Sequence, residues 1–183
     1  MIRLLALLTG FALLSACADP NQDKPPADLG EFRLGHNIVV ASKMQKGPIS
    51  REASQEEWVE VLTSAVDRRF GGFEGSQLYH FGMSVEGYML APPGVPVIYN
   101  PRSMLIINLT VWDDAAGKKL NDKPQQFQVL EDTTQGTAFL GSGRERTKEE
   151  QMEGLAANAM DAIGEWLVLQ YEQEGWFAKK PGT

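Results

Sequence analysis

The stretch MLIINLTVWDDAAGKKL, Met104 to Leu120, sets the fold class of this chain. Its first half alternates, so that one side of an extended strand would carry the apolar residues Leu105, Ile107, Leu109 and Val111. The opposite side would carry the polar residues Asn108 and Thr110. This alternation predicts a strand that packs one face on a core and turns the other toward solvent.

The second half, from Asp113 to Gly117, has the composition of a turn, because Asp and Gly favour the backbone conformations that turns require. We expect a hairpin here that returns into a strand around Gln126–Glu131. Asp113 and Asp114 are also the residue type of a glycosidase pair, but those enzymes hold two carboxyl groups about 5–9 Å apart across a cleft. Adjacent turn residues point apart, so turn chemistry is the better interpretation.

Two more segments upstream have strand patterns. In SQLYHFGMSVEGYML, Ser76 to Leu90, the alternation predicts Tyr79, Phe81, Met83, Val85 and Met89 on one face and His80, Ser84, Glu86 and Tyr88 on the other. LGHNIVVA, Leu34 to Ala41, ends in β-branched residues and predicts the first strand. Downstream, the Gly- and Thr-rich segment Thr133–Gly143 is either a loop or holds a last edge strand around Thr137–Leu140.

Two amphipathic helices are predicted, each behind a capping box. Ser54 and Glu57 open the first, whose apolar positions are Trp58, Leu62, Ala65, Val66 and Phe70, and Gly71-Gly72 ends it. Thr147 and Glu150 open the second, whose apolar positions are Met152, Leu155, Ala159, Ile163, Trp166, Leu167 and Tyr171. The order β-α-β-β-β-(β)-α predicts an α+β fold, with an antiparallel sheet of four to five strands and both helices on one face.

The first sixteen residues, MIRLLALLTGFALLSA, have the layout of a secretory signal: a basic residue, a short apolar run and small residues at the end. The run is too short to span a bilayer, which takes roughly 20 apolar residues. We therefore expect residues 1–16 to be removed, 17–33 to form a lipidated cysteine and flexible tether, 34–177 to form a single domain and 178–183 a tail. As a flexible chain, the tether would reach on the order of 20 Å.

Leu14-Ser15-Ala16-Cys17 resembles the lipobox of bacterial lipoproteins. The resemblance implies a diacylglycerol thioether on Cys17, cleavage before it, and an added acyl chain such as palmitate on the new amino terminus. Several chains on one residue anchor firmly, because each buried methylene contributes about 0.8 kcal/mol. Ala18 follows the cysteine where inner-membrane lipoproteins of enterobacteria carry aspartate. By that resemblance, the periplasmic face of the outer membrane is favoured over the inner membrane.

Composition narrows the class of partner. The chain has 17 Lys and Arg against 24 Asp and Glu, a formal net charge of −7, and removal of Arg3 makes the mature charge one unit more negative. A scattered, acidic charge distribution argues against nucleic-acid binding, which requires a clustered basic face. Cys17 is the one cysteine, so the exported domain has no disulfide and must take its stability from its core.

The element order, with the VWDDAAGKKL hairpin behind an apolar strand and an amphipathic helix at the end, is similar to a second group of proteins. These are the small α/β domains of outer-membrane accessory lipoproteins, such as the curli-secretion lipoprotein and the activators of peptidoglycan synthases. The similarity covers Leu34 to Tyr171. It implies an accessory role in an envelope machine and carries no catalytic residue to this chain.

The sequence shows no catalytic set, so we expect no enzyme activity. It has no G-x-S-x-G, and no serine is followed three places later by lysine. Gly141-Ser142-Gly143-Arg144 has the composition of a small anion nest, but a loop before a helix explains it better. His36 and His80, with Glu86, could in principle hold a metal across a sheet. Histidines on the solvent face of strands are the simpler interpretation, and no cofactor or metal is assigned.

The connection APPGVPVIYNPRS, Ala91 to Ser103, is the candidate partner contact. Its prolines exclude a central strand, because proline cannot donate to a sheet. It carries the apolar residues Val95, Val97, Ile98 and Tyr99. They either fold back on the sheet edge or contact a protein or lipid. Trp176-Phe177 raises the same question, and we expect that pair to dock on its own domain.

Two functions fit these observations. The first is a lipid-anchored periplasmic accessory protein that is bound to the membrane through its lipid and acts by contacts with an envelope protein in an assembly or transport system. The alternative is a carrier of lipid or another small hydrophobic ligand. Its cavity would lie between sheet and helices and be lined by Met83, Met89, Trp112 and Met160.

Overall fold

The computed structural model describes residues 28–93, 101–134, 137 and 142–179. The strands are β1 Phe32–Val40, β2 Gln45–Lys46, β3 Gln77–Met89, β4 Met104–Asp113, β5 Lys118–Lys119 and β6 Gln125–Leu130. The helices are α1 Gln55–Phe70, α2 Ser142–Glu145 and α3 Lys148–Glu174. Within the described ranges these elements form an α+β fold with a six-stranded sheet, which confirms the predicted fold class.

The sheet is mixed, and the prediction of an antiparallel sheet of four to five strands is correct only in part. β4 pairs antiparallel with β3 and with β6, but β1 runs parallel to β3. The short β2 is also parallel to β3, and β5 pairs with β4. The cause is the crossover: α1 carries the chain back to the end from which β1 started, so β3 leaves in the direction of β1. The hairpin after β4 is antiparallel, as expected.

Both long helices pack on the same face of the sheet and share one core with it. Trp58 and Leu62 of α1, and Leu155 and Ile163 of α3, are fully buried there. Both capping boxes are formed as the sequence predicts. The two helix starts are also joined, because Lys148 donates to Glu57. This bond lowers the pKa of Glu57 below its ordinary value.

A β-bulge changes the predicted faces of β3. The pairing with β4 shifts register between Val85 and Gly87, so one extra residue reverses which side chains point inward. Tyr88 is therefore buried and Met89 half-buried, the reverse of the prediction. The Tyr88 hydroxyl donates to the carbonyl of Ala53 at 3.0 Å and accepts from the Ala53 N–H at 3.1 Å. These bonds fix the segment that leads into α1.

The two ends of the described fold meet in an aromatic cluster. Leu29 and Phe32 are 1% and 0% exposed, so the packed region begins before Leu34, within the part assigned to the tether. Phe32 contacts Tyr79 and Phe177 through its ring, and the Glu31 N–H donates to the Phe177 carbonyl at 2.9 Å. The expectation that Trp176-Phe177 docks on its own domain is confirmed. The burial of Leu29 and Phe32 could not be predicted from the sequence, because two apolar residues in a polar stretch form no periodic pattern.

The segment Thr133–Gly143 falls partly outside the described residues. Of the positions predicted as a possible edge strand, Thr137–Leu140, Thr137 is described, and it is helical and buried. Ser142 and Gly143 begin α2. Of the described residues of this segment, Thr137, Ser142 and Gly143 are therefore helical, and Thr133 and Thr134 are in neither a helix nor a strand.

We predict that Phe32→Ala lowers the free energy of unfolding by about 3–5 kcal/mol, because a fully buried ring leaves a cavity among aromatic neighbours. The exposed neighbour Arg33 supplies the control, and Arg33→Ala should change stability by less than about 0.5 kcal/mol. Urea unfolding followed by tryptophan fluorescence measures both. If the two variants lose equally little stability, Phe32 does not belong to the packed domain.

Tyr79 gives the fold a dependence on alkaline pH. Burial, and then the charges of Asp113 and Glu31, raise the pKa of its phenol to about 12. An unfolded tyrosine titrates near pH 10, so the contribution is complete below pH 10 and is lost as the pH rises toward 12. We expect a loss of about 2–3 kcal/mol over this range in urea unfolding. Tyr79→Phe should remove this loss, whereas the control Tyr171→Phe should retain it.

Candidate functional site

The structure leaves two predicted sites undescribed. Cys17 and the four loop residues Val95, Val97, Ile98 and Tyr99 lie outside the described residues. The base of their loop is described. At one side the Ala91 N–H donates to Ser103 Oγ at 3.0 Å, and Gln151 Nε2 donates to the Ala91 carbonyl at 3.1 Å. The loop that we predict to contact a partner therefore starts and ends on a fixed support.

A buried polar cluster forms this support. Ser142 Oγ donates to Glu131 Oε2 at 2.6 Å and accepts from Gln151 Nε2 at 2.9 Å, and all three residues are buried. Arg51 donates to the Gly143 carbonyl, and a Cβ at Gly143 would lie 2.1 Å from the Pro92 carbonyl oxygen. The described part of the predicted anion nest thus binds the protein itself, and its tight packing explains the glycine.

The structure brings His36 and His80 together but not Glu86. The two imidazole rings stack with centroids 4.8 Å apart. Glu86 lies six residues beyond His80 along β3, about 20 Å away at the strand rise, and Glu86 Oε1 accepts from Ser84 Oγ at 2.5 Å. The three residues hypothesised as a metal site therefore do not converge. Among the described residues no group of three potential ligands is placed to hold a metal.

His80 instead fixes a bulge in β1. The pairing of β1 with β3 shifts register between Leu34 and Asn37. There the His36 N–H donates to His80 Nδ1 at 2.7 Å, so the proton of the neutral ring lies on Nε2, which donates to Asp114 Oδ1 at 3.0 Å. Gly35 lies against the ring, where a Cβ would come within 2.3 Å of Nδ1. Both ring nitrogens are thus used to hold the two strands.

The second face of the sheet carries no helix among the described elements. We call it the open face, and it includes the side chains of Ile38, Val40, His80, Ser84, Asn108, Thr110 and Trp112. Ile38 is 59% exposed, Val40 48% and Trp112 38%. Gly82 lies between Ile38 and Thr110 in the register and adds no side chain. These large apolar groups therefore border a shallow depression on a face that also carries polar side chains.

The residues proposed for a carrier cavity do not line one space. Met83 and Met160 are core residues, each 2% exposed, on the helix side of the sheet. Trp112 lies between the buried Val111 and Asp113, so its side chain is on the open face. The sheet itself therefore separates Trp112 from Met83 and Met160. The prediction of one cavity lined by Met83, Met89, Trp112 and Met160 was wrong, because these side chains do not lie on the same side of the sheet.

A groove lies between the end of β1 and the first turns of α1. We call it the edge groove. It has a volume of about 430 Å³ and is lined by Val40, Ala41, Ser42, Gln55, Glu56, Val59 and Glu60. Sequence reasoning missed this surface. The available signal was Ile38-Val39-Val40, since three consecutive β-branched residues in a strand cannot all face one core.

Comparison with known proteins gives a fold likeness only. No family model matches the chain, and no curated protein matches it. A solved structure of a Xanthomonas campestris protein of the DUF330 family has a TM-score of 0.52 at 12% identity, covering 83% of this chain and 92% of that chain. The two proteins share a fold.

Two further solved structures are lipoproteins by their descriptions. A predicted lipoprotein from Caulobacter crescentus has a TM-score of 0.36 at 14% identity, covering 75% of this chain and 91% of that chain. A minor lipoprotein from Acinetobacter baumannii has a TM-score of 0.31 at 11% identity, covering 70% and 92%. Among the residues described for this chain, no helix has the length and apolar content to cross a membrane.

We predict that Gly35→Ala destabilises the protein by about 1–3 kcal/mol, because the new methyl group displaces the His80 ring from its two hydrogen bonds. Gly72→Ala is the matched control, since a Cβ there meets no atom within 4 Å. Urea unfolding should show Gly35→Ala and His80→Ala to be strongly non-additive in the double variant. Additive losses would mean that the ring does not hold the bulge.

Proposed function

We propose that this protein is a lipid-anchored accessory protein of the Gram-negative envelope, and that it acts by binding an envelope protein in an assembly or transport system. The lipobox at Cys17 supports the anchor. Ala18 after the cysteine, where enterobacterial inner-membrane lipoproteins carry aspartate, supports attachment to the periplasmic face of the outer membrane. The protein would act as a binding module held close to the membrane rather than as an enzyme.

The observation that carries this proposal is the open face. Single exposed apolar residues are ordinary on protein surfaces, whereas apolar groups gathered on one uncovered face are typical of contact sites. Ile38 and Val40 on β1 and Trp112 on β4 border the same depression above Gly82. Tryptophan in particular favours interfaces, because its large ring contributes much contact area.

The polar clusters favour binding over catalysis. His80 bonds to the His36 backbone and to Asp114, and the cluster around Ser142 holds the base of the Ala91–Ser103 connection. Each cluster therefore has a structural use. A catalytic serine or histidine would instead need a free oxygen or nitrogen directed at a substrate.

The test combines the anchor with the contact surface. We expect a photo-crosslinking residue at Trp112 or Tyr99 to give a discrete crosslinked band in live cells, and Glu165 on α3 to give none because it lies away from the open face. Cys17→Ala should move the protein out of the membrane fraction and weaken that band at least tenfold, because the protein is no longer held beside its partner.

Either half can fail by itself. A Cys17→Ala variant that remains in the membrane fraction contradicts the lipid anchor. Identical patterns from Trp112, Tyr99 and Glu165 contradict a specific partner. Mass spectrometry of a band unique to Trp112 or Tyr99 would identify the protein that is bound.

A further inference from the structure

We propose that the free edge of β1 and the edge groove bind an extended segment of the partner protein, in which lysine or arginine alternates with apolar residues. The inference rests on the proposed function and adds the chemistry of the partner to it. It follows from three observations on the described residues: a strand edge that no described strand pairs, apolar side chains beside it, and acidic side chains without an ion-pair partner within those residues.

One edge of β1 has no strand beside it in the described part of the chain. It pairs with β3, and among the described residues no strand pairs with its other side. The first half of β1 is protected by the bulge at Gly35-His36 and by the charge of Arg33. The second half, Asn37–Val40, keeps unbroken register with β3 and contains no charge, proline or bulge. Edges of this kind accept an added strand through their backbone N–H and C=O groups.

The two faces of the sheet offer different surroundings to a strand added at this edge. An added strand would lie about 4.8 Å from β1, and its side chains would alternate between the two sheet faces. On the open face they would meet Ile38 and Val40, which suit apolar partners. On the other face they would enter the edge groove beside α1. Asn37 Nδ2 holds α1 against β1 there, because it donates to the Thr63 carbonyl and to Asp67.

The edge groove favours a long cationic side chain. Ala41 and Val59 give it an apolar wall, while Glu56 and Glu60 stand at its rim. Lysine and arginine combine a methylene stem with a charged head, so one side chain contacts both parts. The preferred segment therefore alternates basic residues toward the groove with apolar residues toward the open face.

The carboxylates of Glu56 and Glu60 give the edge groove its negative charge. They lie one helical turn apart on α1, where like charges repel, and both are exposed. Neither has an ion-pair partner among the described residues, whereas Glu52 is paired with Lys46 and Glu57 with Lys148. Lys43, close in sequence, does not line the groove. A cation from a partner would relieve the repulsion between these two carboxylates.

The direct test uses a synthetic peptide in which valine and lysine alternate over nine residues, and a second peptide with glutamate in place of lysine. Binding to the full-length lipidated protein in detergent is measured by fluorescence anisotropy. We expect the lysine peptide to bind, the glutamate peptide to bind at least tenfold more weakly, and added salt to weaken the first. Failure of the lysine peptide to bind overturns the inference.

Matched variants separate the groove from general acidity. Glu56→Gln with Glu60→Gln should weaken the lysine peptide about tenfold or more. Glu165→Gln with Glu172→Gln removes the same charge from exposed positions of α3 and should leave the affinity unchanged. Equal losses in the two double variants would show non-specific charge attraction and overturn the inference.

Backbone methylation tests strand pairing itself. In an added strand, alternate N–H groups point toward β1 and away from it. N-methylation of the peptide at one alternate set of residues should therefore abolish binding, while methylation of the other set should preserve it. Equal effects of both sets contradict strand addition. A wild-type dimer that Val40→Lys converts to a monomer would make the occupant a second copy of this chain and would also overturn the inference.

The last experiment identifies the segment of the natural partner that binds at the edge of β1. A photo-crosslinking residue at Val40 should capture a peptide with basic and apolar residues in alternation, and an acidic or a helical captured segment contradicts the inference. The proposed function is tested apart from it. If the Trp112 or Tyr99 band persists unchanged in the Glu56→Gln/Glu60→Gln variant and that variant still binds the lysine peptide, the partner stands and the groove assignment is wrong.

Discussion

The parallel pairing of β1 with β3, made through α1, is the constraint on which the rest of the structure depends. A parallel neighbour needs a crossover long enough to return the chain, and α1 supplies it while covering one face of the sheet. β4 and β6 then extend the sheet on the far side of β3, so β1 keeps an edge without a described neighbour. Because α3 packs beside α1 on the same face, no described helix covers the other face. The open face and the edge groove are both consequences of this one connection.

Local patterns predicted most of the elements because their causes are local. The alternation in β4, the turn from Asp113 to Gly117 and both capping boxes depend on residues within a few positions of one another, and all are present. Pairing partners are set by contacts between distant residues. The order β-α-β favours parallel neighbours, but the later strands follow one another without a helix between them, and an antiparallel sheet was predicted. The bulge between Val85 and Gly87 was also hidden, since an uninterrupted alternation gives no sign of an extra residue.

The candidate site was predictable only in part, for the same reason. A resemblance to a lipobox depends on four adjacent residues only, while the surface that the protein offers depends on which side of a strand is covered. Ile38 and Val40 look like core residues in sequence, and the pairing with β3 places them on the uncovered side. His80 looks like a candidate ligand, yet it meets the backbone of His36 across 44 residues of chain and serves the bulge. A side chain that looks reactive in the sequence can thus have its polar atoms bonded within the fold.

An anchor and a strand edge would work together in the proposed function. Adding one short strand to an edge is a weak interaction when both partners diffuse freely, because ordering the segment opposes it. Attachment to the same membrane through Cys17, as proposed, would change this, since a domain anchored close to its partner would meet it at an effective concentration in the millimolar range. A modest affinity is then sufficient, and the contact remains reversible.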